Sequence, residues 1–281
     1  MMISLFYNEL IKVFYKRRTY ISFILITLLI PLIVYGFQYG ALSLEQKLSD
    51  QMQDIFLTAG SAVNGFLAAY IIISILISQM PFLSTIVPSE IISGEYSKGT
   101  FRIYLTRPIS RTKLFISKVA VVLLYTTIMM LYFFAYTIVV SYLVLDSGLL
   151  IVFHDGLLAL EPNSDSVIFR FFLGFAFSNM IMITVSLLCL MFSSFSKNSV
   201  TPIISTISIV FIGAAILFIP IDIFQLVNPY IFTGYMDIFL KTFYKPIPYE
   251  IFMDCFIVCC IWSFLFLTIA YFNFLRRDMI E

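Results

Sequence analysis

Long apolar stretches separated by short polar connections run through most of the chain. A helix that crosses the roughly 30 Å hydrocarbon core of a bilayer needs about 20 mostly apolar residues. Stretches of that order occur at residues 20–40, 62–87, 115–145, 167–195, 200–220 and 251–274. The pattern predicts an all-α integral membrane protein with six transmembrane helices and both termini on the same side.

The length of the third stretch and the connection between the fourth and fifth stretches refine this prediction. The third stretch exceeds what a bilayer needs, so we expect its helix to tilt or to project into water. The fourth and fifth stretches are separated only by a short connection around Lys197, Asn198 and Pro202. Because proline is favoured in the first turn of a helix, a tight turn should lead directly into the fifth helix.

Residues 1–19 precede the first stretch and have a helical periodicity of their own. One predicted face carries Ile3, Phe6, Leu10, Val13 and Phe14, and the other carries Ser4, Asn8, Lys12 and Lys16. This spacing predicts an amphipathic helix at the membrane interface. It either anchors the chain on anionic lipid or forms an elbow that couples the first span to cytoplasmic movements.

Residues 228–250 form neither a clean span nor a polar loop. The segment is rich in Tyr and Phe and is interrupted by Pro229, Pro246 and Pro248. Amphipathic aromatic side chains suit the headgroup region of a bilayer. We therefore expect short helices that lie on the outer leaflet or dip into it as a re-entrant segment.

Composition excludes a soluble globular domain. Hydrophobic residues make up 61% of the chain and charged residues only 12%, with a mean hydropathy of +1.01, whereas a soluble domain is near a quarter charged. The net charge of +1 gives no reason to expect a nucleic-acid partner. Cys189, Cys255, Cys259 and Cys260 lie in apolar stretches, where a thiol acts as a small hydrophobe, so we expect neither disulfides nor a metal site.

The positions of lysine and arginine predict the orientation. Most of them flank the predicted cytoplasmic ends: Lys12, Lys16, Arg17, Arg18, Lys98, Arg102, Arg107, Arg111, Lys113, Lys118, Lys197, Arg276 and Arg277. The opposite connections are mainly acidic. Because positively charged loops remain in the cytoplasm, both termini should be cytoplasmic.

The connection between the second and third stretches has a distinct pattern of its own. A helix leaving the membrane would end near Gly99, and a second would begin near Pro108. The predicted short helical hairpin presents Arg102, Arg107 and Arg111 to the cytoplasm. Such a surface, with Glu90 and Glu95 nearby, could dock on a groove of another protein.

The same connection carries a family resemblance. The relevant positions are Glu95, Gly99, Thr100, Leu105, Pro108 and Arg111, followed by Lys118. This order resembles the pattern between the second and third spans of type-2 ABC transporter permeases. The opening Asn8-Glu-Leu-Ile-Lys-Val-Phe14 with Arg17-Arg-Thr-Tyr20 is similar to the usual elbow of that family, and the ending Phe274-Leu-Arg-Arg-Asp278 is similar to its closing signature.

The resemblance implies one permease domain over residues 1–281, and it implies how that domain is divided. Its parts would be an interfacial elbow (1–19), spans one and two (20–88), a cytoplasmic coupling segment (89–114), spans three to six (115–274) and a cytoplasmic tail (275–281). A second copy or a related permease would complete the transporter. Each permease would contact a cytoplasmic ABC ATPase.

The resemblance, taken with the residues themselves, gives a candidate coupling interface. Its members are Glu90, Glu95, Gly99, Thr100, Arg102, Arg107, Pro108, Arg111, Lys197 and Asn198. Each has a simpler explanation as well. Taken singly, the basic residues are also explained by the positive-inside rule, and Gly99 and Pro108 by the shape of a turn.

The chain lacks the Gly-rich phosphate-binding sequence that ends in Gly-Lys-Ser/Thr. We therefore expect no catalytic residues and no cofactor here, with ATP and Mg bound by the separate ATPase. By likeness to the family, the expected function is export of an amphipathic or hydrophobic substrate across a bacterial inner membrane.

Two charged residues inside apolar stretches keep other functions open. Arg170 and Asp254 are candidates for an intramembrane polar site, since such charges are costly. Both lie near a predicted outer end, where they could instead reach the interface. The alternatives are an ion-coupled secondary transporter, a membrane assembly subunit that moves no solute and, on weaker grounds, an intramembrane enzyme.

Overall fold

The chain folds into a bundle of long helices with short elements at both ends. The computed structural model describes residues 2–49, 64–97, 110–145, 150–153, 157–160, 165–218 and 226–276. In chain order the elements are α1 (Met2–Tyr15), α2 (Thr19–Ser49), α3 (Gly65–Leu76), a 3-10 turn (Ile77–Gln79), α4 (Met80–Ser84), α5 (Ile86–Ile91), α6 (Ser93–Ser97), α7 (Arg111–Leu145), β1 (Leu150–Phe153), β2 (Leu157–Leu160), α8 (Asp165–Phe195), α9 (Val200–Phe218), two 3-10 turns (Asn228–Tyr230 and Phe232–Tyr235), α10 (Ile238–Lys241) and α11 (Tyr249–Arg276).

Five helical stretches among the described residues are long and apolar enough to cross a membrane. They are Thr19–Gly40, Gly65–Ile91, Arg111–Leu145, Ser166–Phe195 and Tyr249–Arg276. The fifth predicted stretch forms α9, but its described apolar part, Val200–Ile216, is shorter than the others. The multi-pass helical class is thus confirmed, while the count of six spans stays a prediction.

Helix lengths and ends follow from local sequence. The 35 residues of α7 correspond to about 52 Å, well beyond the hydrocarbon core, as its long apolar run predicts. Asn64 caps α3 by accepting the backbone N–H of Leu67 at 3.0 Å. Asn198 accepts the N–H of Thr201 at the same distance, so a side-chain cap fixes the start of α9 just after the tight turn.

The second span is not one continuous helix. The 3-10 turn Ile77–Gln79 separates α3 from α4, and Pro81 lies in the first turn of α4. Proline has no backbone N–H and cannot make the regular helical hydrogen bond. Hydroxyls of Ser84 and Thr85 bond to nearby carbonyls, at 3.0 Å to Pro81 O and 2.9 Å to Phe82 O. The apolar pattern predicted the span but not this break.

The N-terminal helix forms where it was predicted, but its buried face is different. Leu5, Glu9 and Val13 are buried against the rest of the protein. Ile3, which the periodicity placed on the apolar face, is 83% exposed. The buried face therefore contains a carboxylate, and an amphipathic helix on the membrane surface stays a prediction.

Short elements cover the end of the bundle that was predicted to be external. An antiparallel hairpin pairs β1 with β2, from Leu150 opposite Leu160 to Phe153 opposite Leu157; the helical periodicity gave no sign of it. Between α9 and α11, the aromatic segment contains two 3-10 turns and α10, while its placement on or in the outer leaflet stays a prediction. Phe239 and Phe243 are buried there against the bundle.

The most extensively buried of the five long stretches is that of α8. One close approach sets its packing, because a Cβ on Gly174 would lie 2.6 Å from Cδ2 of Phe239 on α10. The Phe239 ring is enclosed by Phe134, Phe171 and Phe243, with ring centroids 5.4 to 6.0 Å away. It has no room to move aside.

We therefore expect Gly174→Ala to destabilise the protein by about 1–3 kcal/mol through overpacking. Thermal unfolding in a mild detergent measures the change. The matched control is Gly36→Ala in α2, where no atom lies within 4 Å of the added Cβ. Equal effects of the two variants would contradict the close approach of α10 to α8.

Candidate functional site

A fully buried lysine lies at the end of the bundle that was predicted to be cytoplasmic. Lys118 in α7 is 0% exposed, although lysine is almost never buried without a partner. Its Nζ lies 2.8 Å from Oε2 of Glu9 and 2.7 Å from Oε2 of Glu95, and it donates to the Ile91 carbonyl at 3.0 Å. Two carboxylates and a carbonyl thus replace the water that the ammonium loses.

A second lysine completes this group, which we call the elbow charge cluster: Glu9, Lys12, Glu95 and Lys118. Nζ of Lys12 lies 2.8 Å from Oε1 of Glu9 and 3.3 Å from Oε1 of Glu95. Each carboxylate therefore lies between two ammonium groups. The cluster has two charges of each sign, and only Lys12 is substantially exposed.

The environment of Glu9 favours its ionised form. Burial by itself raises the pKa of this carboxyl. The charge of Lys118 and the hydrogen bonds from Lys118 and Lys12 act in the opposite direction and outweigh burial, so the pKa is lowered below its ordinary value of 4.5. The charged state of Glu9 is therefore part of the folded structure.

Glu90 forms a second, more exposed set of ion pairs beside the cluster. Its carboxylate pairs with Arg18, and its Oε2 lies 3.6 Å from Nζ of Lys16. Both cations belong to the connection between α1 and α2. Together with the elbow charge cluster, these pairs join the N-terminal helix to the end of the second span that was predicted to be cytoplasmic.

Serine hydrogen bonds hold α6, which carries Glu95, against the end of α8. Ser93 N–H donates to Oγ of Ser193 at 3.1 Å, and that hydroxyl donates to the Ser89 carbonyl at 2.9 Å. On the same side, a Cβ on Gly94 would lie 3.7 Å from Oγ of Ser199. The start of the predicted coupling segment and the turn before α9 are therefore neighbours.

Half of the predicted coupling residues lie in the part of the chain that the structure describes. Glu90 and Glu95 take part in ion pairs within the chain, as described above. Arg111 donates from Nη1 to the Leu275 carbonyl at 2.8 Å and so joins the start of α7 to the end of α11. Lys197 and Asn198 are exposed. Gly99, Thr100, Arg102, Arg107 and Pro108 lie outside the described residues, and the contact of the whole set with an ATPase stays a prediction.

Glu9 and Lys12 are the members of the cluster that sequence reasoning missed. Lys118 was noted as a position that matches the family pattern and, like Lys12, as a basic residue of the predicted cytoplasmic side, but not as a member of a charge cluster. One signal was available, because Glu9 lies four residues from both Leu5 and Val13, in line with an apolar stripe. A carboxylate in such a stripe calls for a cation on the facing element.

The two predicted intramembrane charges have different surroundings. Arg170 is buried near the outer start of α8, where Nη1 donates to the carbonyls of Thr242 and of Tyr244, the latter at 2.9 Å. Asp254, near the outer start of α11, is exposed on the surface of the chain. In the described ranges, no three or more His, Cys, Asp or Glu side chains are grouped so that they could hold a metal ion.

A groove opens beside the break in the second span. It has a volume of about 380 Å³. Its walls are Leu25, Ile26, Leu29 and Ile30 of α2, Leu76, Gln79, Met80, Phe82 and Leu83 of the second span, and Phe133 of α7. Gln79 is the one polar side chain in this lining.

Comparison with known proteins gives one clear match. The family model described as "ABC-2 family transporter protein" matches residues 5–213, well over half of the chain. The matched range includes the whole elbow charge cluster and the turn before α9. A search of curated proteins finds no match.

Removing Lys118 should be far more damaging than removing Lys12. Lys118→Met would leave two buried carboxylates without their main partner, which typically costs about 3–5 kcal/mol. Lys12→Met removes a half-exposed ion pair and should cost less than about 1 kcal/mol. Unfolding of both variants in detergent tests this order, and similar losses would contradict the proposed difference in burial.

Glu9 should make the protein sensitive to acid. A carboxyl whose pKa is lowered by folding adds stability above its ordinary pKa, and that stability is lost as the pH falls through the lower, folded value. We expect the unfolding temperature to fall as the pH drops below about 4.5. In Glu9→Gln the decline should be shallower, and identical pH profiles would exclude Glu9 as a source.

Proposed function

Because the chain belongs to the ABC-2 family of transporter proteins and is thus a membrane permease of an ABC transporter, we propose that it exports an amphipathic or hydrophobic substrate. The energy comes from ATP, which a separate cytoplasmic ABC ATPase binds with Mg and hydrolyses. The sequence has no Gly-rich phosphate-binding motif of its own, and this supports the binding and hydrolysis of ATP by a separate subunit.

The observation that carries the proposal is the connection of the coupling segment to two other helices. Glu95 lies in α6, at the start of that segment, and meets Lys118 of α7 and Lys12 of α1. A force applied by an ATPase to α6 cannot separate these groups without leaving buried charges unpaired, which is strongly unfavourable. The motion is therefore passed to the elbow helix and to the third span.

A second contact for the ATPase is the turn before α9. Lys197 and Asn198 are exposed there, and the turn lies next to Gly94 of α6. One partner protein can therefore bind both regions at once. Because allosteric coupling requires differential contacts in two states, a surface composed of two neighbouring segments suits an ATPase that opens and closes.

The groove beside the second span supports the class of substrate. Its lining is apolar apart from the amide of Gln79 and contains no charged side chain. Desolvating a charged substrate against such a surface would be costly, whereas an apolar or amphipathic molecule gains from the contact. An amide can still orient one polar group of the substrate.

The remaining parts of the proposal concern the arrangement in the membrane. We infer that α9 acts as the fifth of six spans, that both termini are cytoplasmic, and that two permease chains form the transporter in a bacterial inner membrane. The positive-inside pattern supports the orientation. Exposed apolar side chains along α2 and α11, such as Leu32 and Phe264, provide surface for lipid or for the second chain.

Gentle purification from the native membrane tests the proposal. We expect an ABC ATPase to remain bound to the wild-type chain and to be depleted when Lys197→Glu is combined with Arg107→Glu, because both changes reverse charges on the proposed docking surface. The control is Lys245→Glu, an exposed lysine on the segment before α11, which should leave the ATPase bound.

The outcome is read as the ratio of ATPase to permease, in variants whose unfolding temperature matches that of the wild type. Recovery of the permease alone in several mild detergents would contradict the proposal. Equal loss from Lys245→Glu would contradict the location of the docking surface.

A further inference from the structure

An apolar groove runs between the first turns of α7 and the last turns of α11. Its volume is about 480 Å³. Phe115, Ile116 and Val119 form one wall, and Phe264, Leu267 and Phe272 form the other. Ile116, Phe264 and Phe272 are at least 43% exposed, so the groove opens to the outer surface of the bundle, where the bilayer lies.

The floor of this groove is fixed by contacts within the chain. The hydroxyls of Thr112 and Tyr271 lie 3.0 Å apart. The ring of Phe115 packs against those of Tyr271 and Phe274, with centroids 5.4 and 5.5 Å away. Because these contacts are made by the chain itself, a molecule entering the groove would not have to organise its floor.

A second groove of about 410 Å³ lies on the other side of Phe272. Its lining is Phe195, Ile269, Phe272, Asn273 and Arg276. Phe272 borders both grooves and forms the ridge between them. Two apolar channels therefore lie side by side, separated by a single aromatic ring.

Positive charge is concentrated at one end of both channels. Arg276 lines the second groove and follows the ridge residue by one helical turn. Lys113, also exposed, precedes Ile116 by one turn at the same end of the first groove. Among the residues that the structure describes, no acidic side chain lines either groove, so these two cations can attract a negative group.

We propose that the two grooves bind one anionic glycerophospholipid of the cytoplasmic leaflet. Its acyl chains lie on either side of Phe272, and its phosphate is held by Arg276 and Lys113. Long basic side chains at the end of a span naturally extend their charge to the headgroup layer. The two grooves correspond to the two acyl chains of such a lipid, and the cationic end corresponds to its negatively charged phosphate.

The position of the charges favours a lipid over a second protein chain. Lys113 and Arg276 are exposed at the ends of two spans, where phospholipid headgroups lie, and apolar lining residues continue from there along α7 and α11. A phosphate next to an acyl chain has this arrangement of charged and apolar parts. This inference does not depend on the direction of transport or on the identity of the substrate.

Native mass spectrometry of the full chain in nanodiscs tests the proposal. The bilayer holds equal parts of phosphatidylglycerol and phosphatidylcholine with the same acyl chains. We expect one phosphatidylglycerol to be retained preferentially by the wild type. A cation near the membrane surface raises the affinity for an anionic lipid by a factor of about five. Arg276→Gln and Lys113→Gln should therefore each reduce the preference for phosphatidylglycerol by roughly that factor.

Two further variants separate this site from general electrostatic attraction. Lys245→Gln removes an exposed cation that precedes α11, at the end of that helix opposite Arg276, and should preserve the preference. Val119→Trp fills the first groove and should lower retention of both lipids without changing any charge. Variants are compared only if their unfolding temperatures match that of the wild type.

Four results would overturn the proposal. The first is equal retention of the two lipids by the wild type. The second is a loss in Lys245→Gln as large as that in Arg276→Gln, which would indicate diffuse attraction. The third is unchanged retention in Val119→Trp, and the fourth is crosslinking that places a second permease chain over Phe272. Either of the last two would show that the grooves do not hold the acyl chains.

Discussion

The ammonium group of Lys118 constrains everything around it, because a lysine without access to water must keep its counter-ions. Its two carboxylates come from separate elements, Glu9 from α1 and Glu95 from α6. Three helices are thereby fixed relative to one another by a single charge. Buried ion pairs add little net stability, since desolvation offsets attraction, but they penalise alternative arrangements. Here they determine which helices remain together at the N-terminal end of α7.

Elsewhere the helices are held together by close packing at small residues and by hydroxyl hydrogen bonds. This is expected in a membrane, because lipid tails are as apolar as the side chains and the hydrophobic effect cannot drive helices together. Most of these contacts involve α8. Ser186 shares a hydrogen bond of 2.8 Å with Thr126, and Thr184 one of 3.0 Å with Ser263. The Asn273 amide donates to the Ser194 carbonyl at 2.7 Å. A polar network along one helix thus links α7, α11 and the second span, and Gly174 lets α10 pack directly on its backbone.

The sequence predicted the helices well because a span is a local property: apolar length alone fixes residues 20–40 or 251–274 to within a few positions. The family was also predictable, since Glu95 and Lys118 occur in a recognisable order. Burial was predictable only in part. The spacing of Glu9 with Leu5 and Val13 indicates that the carboxylate is buried, but Glu9 and Lys118 are 109 residues apart, and nothing near either residue identifies the other as its partner. The break at Ile77–Gln79 and the pairing of β1 with β2 are local, but the apolar periodicity of a helix indicates neither. Arg102 and Arg107 lie outside the described residues, so their predicted orientation stays a prediction.

Arg170 illustrates how irregular backbone can exist at the outer end of such a bundle. The chain around Thr242 and Tyr244 has left its helix, and its carbonyls need hydrogen-bond donors that a bilayer does not supply. One guanidinium nitrogen provides both bonds. A guanidinium has five N–H groups, and Nη1 carries only two of them. Both N–H groups of that nitrogen are therefore bonded to backbone carbonyls of the protein. The arginine supplies this segment with the hydrogen bonds that water would otherwise donate.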